Sequence, residues 1–386
     1  MLNTRLLKNI DWIFMVSLLA IILVSLVVLR SASANVFDDS YYFVKRQLLW
    51  AVVGLFLMFL ISTFDYSFLA RFGNYIYVGN IILLLAVFVI GYESKGAQRW
   101  ISLGLFDLQP SELAKIAIII SFAAFLVKRQ ERLDSIWDLI PCFVYVGIPF
   151  LLILRQPDLG TSLVFLAILM GMLWIGRTNP KIIIIILLVA FLLVLIVFGI
   201  LFISSDGFQK IPEDLPIPLP FKPYQLLRLV IFVNPDMDPL GAGYHVIQSK
   251  VAIGSGGFWG KGYQQGSQVQ GDFLPEHHTD FVFSTIGEEL GFIGGIGVLG
   301  LYFILFWRMI FIAKEARDMF GTLIVTGVVS MLAFQIFVNT GMTMGIMPVT
   351  GIPLPFLTYG GSGMLSNMIA MGLVLSVNIH KQNLLF

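Results

Sequence analysis

Ten stretches of this sequence are long and apolar enough to cross a bilayer as helices. They are Trp12–Val28, Leu48–Thr63, Tyr75–Tyr92, Leu113–Val127, Leu139–Leu154, Gly160–Ile175, Ile182–Ile203, Ile286–Phe311, Leu323–Met342 and Met364–His380. Within hydrocarbon each backbone N–H and C=O must find a partner inside the protein, which leaves only helices or a closed barrel. The runs lack the period-two alternation of barrel strands, so an all-α polytopic membrane protein is expected. Composition agrees, because only 12% of residues are charged, about half the share of a soluble domain. Lys and Arg number 24 against 23 Asp and Glu, which gives no basic field for nucleic acid. With Cys142 alone, no disulfide framework is available.

The motif Ser31-Ala32-Ser33-Ala34 resembles a signal-peptidase site. The preceding run is longer than a signal core and Arg30 stands directly before the motif, so the first run reads as an uncleaved span. Orientation follows from the cations. One set of loops and ends carries Arg5, Lys8, Arg71, Lys128, Arg129, Arg132, Arg177, Lys181, Arg308, Lys314, Arg317 and Lys381. The opposite short loops carry only Arg30, Lys45, Arg46, Lys95, Arg99 and Arg155. That bias places both termini in the cytoplasm and the long 204–283 segment, between spans seven and eight, outside.

The long segment begins with a proline-rich stretch (Pro212, Pro216, Pro218, Pro220, Pro223), expected to be extended. A short amphipathic run, Tyr224–Phe232, follows and suits the membrane surface. Next comes Gly254-Ser-Gly-Gly-Phe-Trp-Gly-Lys-Gly262, which reads either as a flexible glycine turn or as close backbone approach to a partner or ligand such as a lipid diphosphate. A phosphate loop of the Walker type is excluded, since Ser255 and Gly262 stand where Gly and Ser/Thr are required.

Ionisable groups at membrane depth are costly, so they are either paired or functional. Glu112 and Lys115 lie three residues apart on one face at the start of the fourth span, as a self-neutralising pair or as the lining of a cavity. Asp158, in the short turn Arg155-Gln156-Pro157-Asp158, caps the sixth span or meets substrate. Trp100 beside Arg99 fits an interfacial anchor. The densest polar cluster is Pro275-Glu276-His277-His278-Thr279-Asp280. Four histidines without His-x-x-x-His spacing argue against zinc. Glu288 and Glu289 read as first-turn carboxylates of the eighth span. Asp280 has no basic neighbour in sequence, and partial desolvation would raise its basicity toward that of a general base.

At this cluster the chain resembles the SEDS family (shape, elongation, division, sporulation), which includes RodA and FtsW. The matching stretches are Gly96-Ala-Gln-Arg-Trp100, Gln109-Pro-Ser-Glu-Leu-Ala-Lys115, Gln156-Pro-Asp-Leu-Gly160, Gly243-Tyr-His with Gln248-Ser249, Pro275–Asp280, and Gly351-Ile-Pro-Leu-Pro-Phe-Leu-Thr-Tyr-Gly-Gly-Ser362. They keep family order along nearly the whole chain. Gln156 before Pro157-Asp158, and Met347–Gly351, look more like RodA than FtsW, while Thr358 replaces a common Ser.

The resemblance implies a glycosyltransferase of the bacterial cytoplasmic membrane that polymerises lipid II into β-1,4-linked glycan strands for elongation and rod shape. It implies Asp280 as the catalytic carboxylate, with Trp100, Glu112, Lys115 and Asp158 in the substrate cavity and Arg46, Lys250 and His278 as further substrate contacts. A class B penicillin-binding protein is the implied transpeptidase partner, with MreC and MreD nearby. Its transmembrane helix would dock near spans eight and nine, where Gly295, Gly297, Gly300 and Gly327 permit close approach. Lys115, Arg46 or Lys250, or a divalent cation (Mg2+ or Mn2+), would offset charge on the leaving diphosphate. A lipid II flippase, an FtsW-like division polymerase and a scaffold that mainly recruits the transpeptidase are the alternatives. Only product formation separates enzyme from flippase.

Overall fold

The structure, a computed structural model, describes residues 10–33, 41–94, 97–102, 104, 107–129, 133–208, 223–271, 273–274 and 276–381. In chain order the first half comprises α1 (Trp12–Ala32), α2 (Tyr42–Thr63), a single turn α3 (Ser67–Arg71) and α4 (Gly73–Ile90). Three short strands follow, β1 (Tyr92–Ser94), β2 (Ala97–Ser102) and β3 (Asp107–Leu108), and then α5 (Pro110–Val127), α6 (Ile136–Arg155), α7 (Leu159–Ile175) and α8 (Pro180–Ser204). The second half holds α9 (Pro223–Val233), α10 (Ala242–Gly256), α11 (Ser267–Gln270), α12 (Val282–Glu289), α13 (Gly291–Lys314), α14 (Met319–Thr343) and α15 (Gly361–Ile379).

Nine of these helices have the length and apolarity to cross a membrane, and the 17-residue α7 is the tenth apolar rod. Their starts are set locally. Asp11 accepts from Phe14 N (3.0 Å) at α1, Asp318 accepts from Gly321 N (2.8 Å) at α14, and Ser135 and Asp138 form a reciprocal capping box at α6. Pro110 and Pro180 occupy first-turn positions, where a missing N–H costs nothing. The core is built around α5, α14 and α15, most of whose residues are buried. By contrast α8 stands apart, with only Ile183 and Leu201 buried along its whole length.

The expected eighth span, Ile286–Phe311, is two helices rather than one. The chain breaks at Leu290, and Gly291 (φ +65°) opens α13 in a new direction. The glycine-rich 257–262 turn packs into this break. Lys261 N donates to Glu288 O (3.0 Å), Gly262 N to Glu289 O (3.1 Å) and Phe292 N to Gly257 O (2.9 Å). Gly260 (φ +81°) lies so close that a Cβ there would overlap Glu289 O, and one on Gly291 would overlap Gly260 N. Left-handed backbone and absent side chains are both required here. The close approach expected of these glycines is therefore made to the chain itself.

The break also corrects the reading of the two glutamates. Glu288 and Glu289 occupy the last turn of α12, not the first turn of a span, and both are buried. Glu288 pairs with Lys261 Nζ (2.7 Å) and accepts from Gln268 N (2.9 Å) and Val269 N (3.1 Å), capping α11. Glu289 accepts from Ser31 Oγ (2.5 Å), which ties the break to the C-terminal end of α1. The three strands, antiparallel in the order β1-β2-β3, are a further feature that the apolar pattern does not reveal. Most of the proline-rich stretch lies outside the described residues, while the amphipathic run beyond it forms the helix α9.

Candidate active site

The loops that carry the polar motifs are brought together by side chains that reach across them, Gln109 to Asp158 and Ser362 to Asp107 and Gln109. Two clusters form there. The first gathers around α5 and the turn before α7. Asp158 caps α7, its carboxylate accepting from Thr161 N (3.1 Å), Thr161 Oγ1 (2.9 Å) and Gln109 Nε2 (3.1 Å), with Arg99 Nη1 at 3.7 Å. The capping reading of Asp158 is seen directly, and the same carboxylate also gathers the neighbouring Gln109 and Arg99. Lys115 Nζ donates to Glu112 Oε1 (2.8 Å), and both residues are buried. The second Glu112 oxygen accepts from Ser366 Oγ (3.0 Å) of α15. Trp100 lies half-buried on β2, opposite Tyr92 of β1.

The second cluster is the 276–281 turn. Three consecutive carbonyls are held from outside the turn. Tyr359 N donates to His278 O (3.2 Å), Thr358 Oγ1 to Thr279 O (3.0 Å) and Asn339 Nδ2 to Asp280 O (2.9 Å). Asp280 is half-buried, and its Oδ2 lies 3.5 Å from the position a Cβ would take on Gly351. The buried His277 ring sits between the carbonyls of Leu274 (2.6 Å from Nδ1) and Ala32 (2.8 Å from Nε2), anchoring the turn to α1. The His278 ring stacks on Phe43, their centroids 4.4 Å apart, and Phe43 also touches Tyr359.

Arg46, exposed on α2, packs over the Tyr42 ring (4.8 Å) and donates to the Tyr359 hydroxyl. Burial raises the Tyr359 phenol above its usual range, and the Arg46 bond only partly offsets this. The phenol therefore stays neutral at physiological pH, and the Arg46 charge is not cancelled by a phenolate. Lys250, exposed on α10, runs across Gly345 just beyond α14. Its neighbour Ser249 donates to Thr343 O (2.6 Å) and meets Ser284 Oγ (2.6 Å), fixing α10 against α14 and α12.

The 350–363 segment joins the two clusters. Beyond Thr358 and Tyr359, Ser362 Oγ donates to Asp107 O (2.9 Å) and accepts from Gln109 N (3.2 Å). Gly160, two residues past Asp158, lies against Thr350 and Ile352, on either side of the glycine that faces Asp280. Gln47, wholly buried on α2, donates to Phe356 O and Thr358 O (3.3 Å each), and Tyr302 donates to Pro355 O. Sequence reasoning that follows charges finds Asp280, Glu112 and Asp158 but passes over Gln47, Asn339 and Thr358. Their signal is an amide or hydroxyl inside or beside an apolar run, where lipid offers no partner. Among the described residues no three His, Cys, Asp or Glu side chains converge on one point.

Of the four small residues expected to receive a partner helix, two face outward. Gly297 and Gly300 have open space where a side chain would project, whereas Gly295 and Gly327 are buried.

Comparison with known proteins agrees with this arrangement. A family model described as "Cell cycle protein", covering FtsW, RodA and SpoVE, matches residues 10–383. The peptidoglycan glycosyltransferase MrdB of Escherichia coli (strain K12) is 37% identical over 97% of this chain and 95% of its own. The peptidoglycan glycosyltransferase RodA of Treponema pallidum is 35% identical over 97% and 98%. Among solved structures, a chain of a peptidoglycan synthase complex that coordinates polymerization and crosslinking superposes with a TM-score of 0.76 at 31% identity, covering 97% of this chain and 98% of that one. The rod shape determining protein RodA of Thermus thermophilus gives 0.68 at 28% identity over 96% and 97%. Matched from end to end in sequence and in fold, the chain belongs to the FtsW/RodA/SpoVE family of cell cycle proteins.

Proposed function

We propose that this chain is a peptidoglycan glycosyltransferase of the RodA type, polymerising lipid II at the outer face of the bacterial cytoplasmic membrane for elongation and rod shape. The observation that carries the reading is the Asp280 turn, a half-buried carboxylate on a backbone held at three successive carbonyls. The glycosyltransferase names of its full-length relatives support it. Both termini lie in the cytoplasm on the cation asymmetry, which puts Asp280 outside.

The reaction is a single inverting displacement. Asp280 takes the proton of the acceptor sugar's 4-hydroxyl, and that oxygen attacks the anomeric carbon of the lipid-linked strand. The bond from this carbon to the diphosphate oxygen breaks, its electron pair leaves with the lipid diphosphate, and a β-1,4 link forms. Arg46 and Lys250, both exposed and cationic at the outer end, offset the charge that develops on the leaving group. Lys115 is committed to Glu112, so its part is to keep the first cluster neutral. Trp100, Asp158 and His278 line the approach. No step is routed through a divalent ion. The partner is a class B penicillin-binding protein, whose membrane helix meets the outward Gly297 and Gly300 face of α13.

The test is polymerisation of labelled lipid II by purified protein, read as gel-resolved glycan strands. Asp280→Asn removes the proton-accepting charge at constant shape, so the rate should fall by roughly 10²–10⁴-fold with the melting temperature unchanged. A folded Asp280→Asn protein that polymerises at the wild-type rate would eliminate Asp280 as the base. Wild-type protein that moves lipid II across liposome membranes without making polymer would support the flippase instead.

A further inference from the structure

We infer that Asn339 is the positioning residue of the reaction, fixing the base through its backbone rather than touching substrate. The inference rests on Asp280 as the base. Of the donors holding the carbonyls of residues 278–280, those of Thr358 and Tyr359 belong to a loop. Among the described donors only Asn339 belongs to a membrane helix, α14, within its last two turns. Its amide nitrogen has two hydrogens, and both are used. One goes to Asp280 O (2.9 Å) and the other to Ile352 O (2.8 Å), beside the glycine that faces the Asp280 carboxylate.

A single amide thus holds the peptide that carries the base and the segment that faces its carboxylate. Asn339 is 0% exposed, so water cannot replace it without opening the helix contact. No charged group is involved, and neither carbonyl takes part in the chemistry. Its effect on the reaction is geometric, and positional errors of about 1 Å can cost about 10²-fold in rate. Sites carried on rigid elements hold their geometry better than sites carried on loops, and Asn339 is the point where this loop site is referred to a helix.

A merely structural residue would lower stability or weaken substrate binding. A positioning residue lowers kcat, and only while the base it positions is present. The experiment is therefore a double-mutant cycle in the full-length chain, with kcat and KM for labelled lipid II and the melting temperature measured for each variant. Asn339→Leu, equal in shape but without donors, should lower kcat by about 10²-fold and leave KM within about twofold. In the Asp280→Asn background the same change should lower the residual rate by less than about threefold, since effects of residues acting as a unit do not multiply.

Should Asn339→Leu not fold, Asn339→Thr retains one donor in a smaller side chain. It should then give an intermediate loss, again confined to kcat and again absent without Asp280. Losses that multiply, or that appear in KM, overturn the inference, as does a wild-type kcat in both Asn339 variants. An active Asp280→Asn protein is a different result and removes the base assignment itself.

Discussion

Removing the charge of Lys115 decides what the buried pair at the head of α5 is for. Lys115 Nζ and Glu112 Oε1 are 2.8 Å apart, and their side chains are 1% and 5% exposed. Glu112 has one further described donor, Ser366 Oγ at 3.0 Å. Lys115→Met keeps most of the volume but leaves a buried carboxylate with a single neutral hydroxyl. Breaking such a pair from one side costs about 3–5 kcal/mol, whereas replacing both partners together is often neutral. The double variant Glu112→Gln/Lys115→Met should therefore be more stable than Lys115→Met alone. Denaturant titration of the detergent-purified chain, followed by the loss of helical signal, measures the difference. A Lys115→Met protein as stable as wild type would refute the reasoning, because it would mean that solvent reaches Glu112. The polymerisation assay then separates the two readings of the pair. A stable double variant that still makes glycan marks a self-neutralising pair, and a stable but inactive one places the charges against substrate.

Three shorter predictions follow. Glu288→Ala removes the acceptor for the first turn of α11 and should cost about 1–2 kcal/mol, read as faster limited proteolysis between residues 261 and 270. Gly297→Trp should leave the isolated chain stable but lower co-purification with the transpeptidase, while Gly327→Trp should destabilise the chain itself, because Ile119 and Met172 lie within 3.0 Å of its added Cβ. In a Cys142→Ser background, a cysteine at the exposed Gln265 should react with an impermeant thiol reagent in spheroplasts and one at the exposed Lys128 should not, and the reverse would invert the orientation.

Much of this architecture is written in one-dimensional apolarity, since a span has only to be long and greasy to be recognised. Such a pattern is blind to direction. It runs without interruption through Leu290, where the backbone turns, because Gly291 is as apolar as its neighbours and the turn is encoded in a positive φ. The same blindness hid the strands around Trp100, which are too short to show alternation. At the site, Asp280, Glu112 and Asp158 stood out because charge is costly in lipid. Asn339 and Gln47 did not, since their amides look ordinary until the carbonyls they hold, from Asp280 and from residues 352–358, are brought to them by folding. Lys115 and Glu112 were legible as neighbours on one helix face, and folding buries both at 2.8 Å from each other.

The sparse attachment of α8 has a mechanical consequence. Its 25 residues make a rod about 37 Å long, several ångströms more than the roughly 30 Å of hydrocarbon it must cross. A helix wedged among neighbours would settle that mismatch by packing, but among the described residues this one is packed only near its two ends, at Ile182, Ile183 and Ile186 and at Val197, Phe198 and Leu201. Its lean is then set largely by the bilayer, steeper where the membrane is thin and more upright where it is thick. Because α8 delivers the chain into the long segment that ends at Asp280, membrane thickness becomes a mechanical input at the entrance to the site.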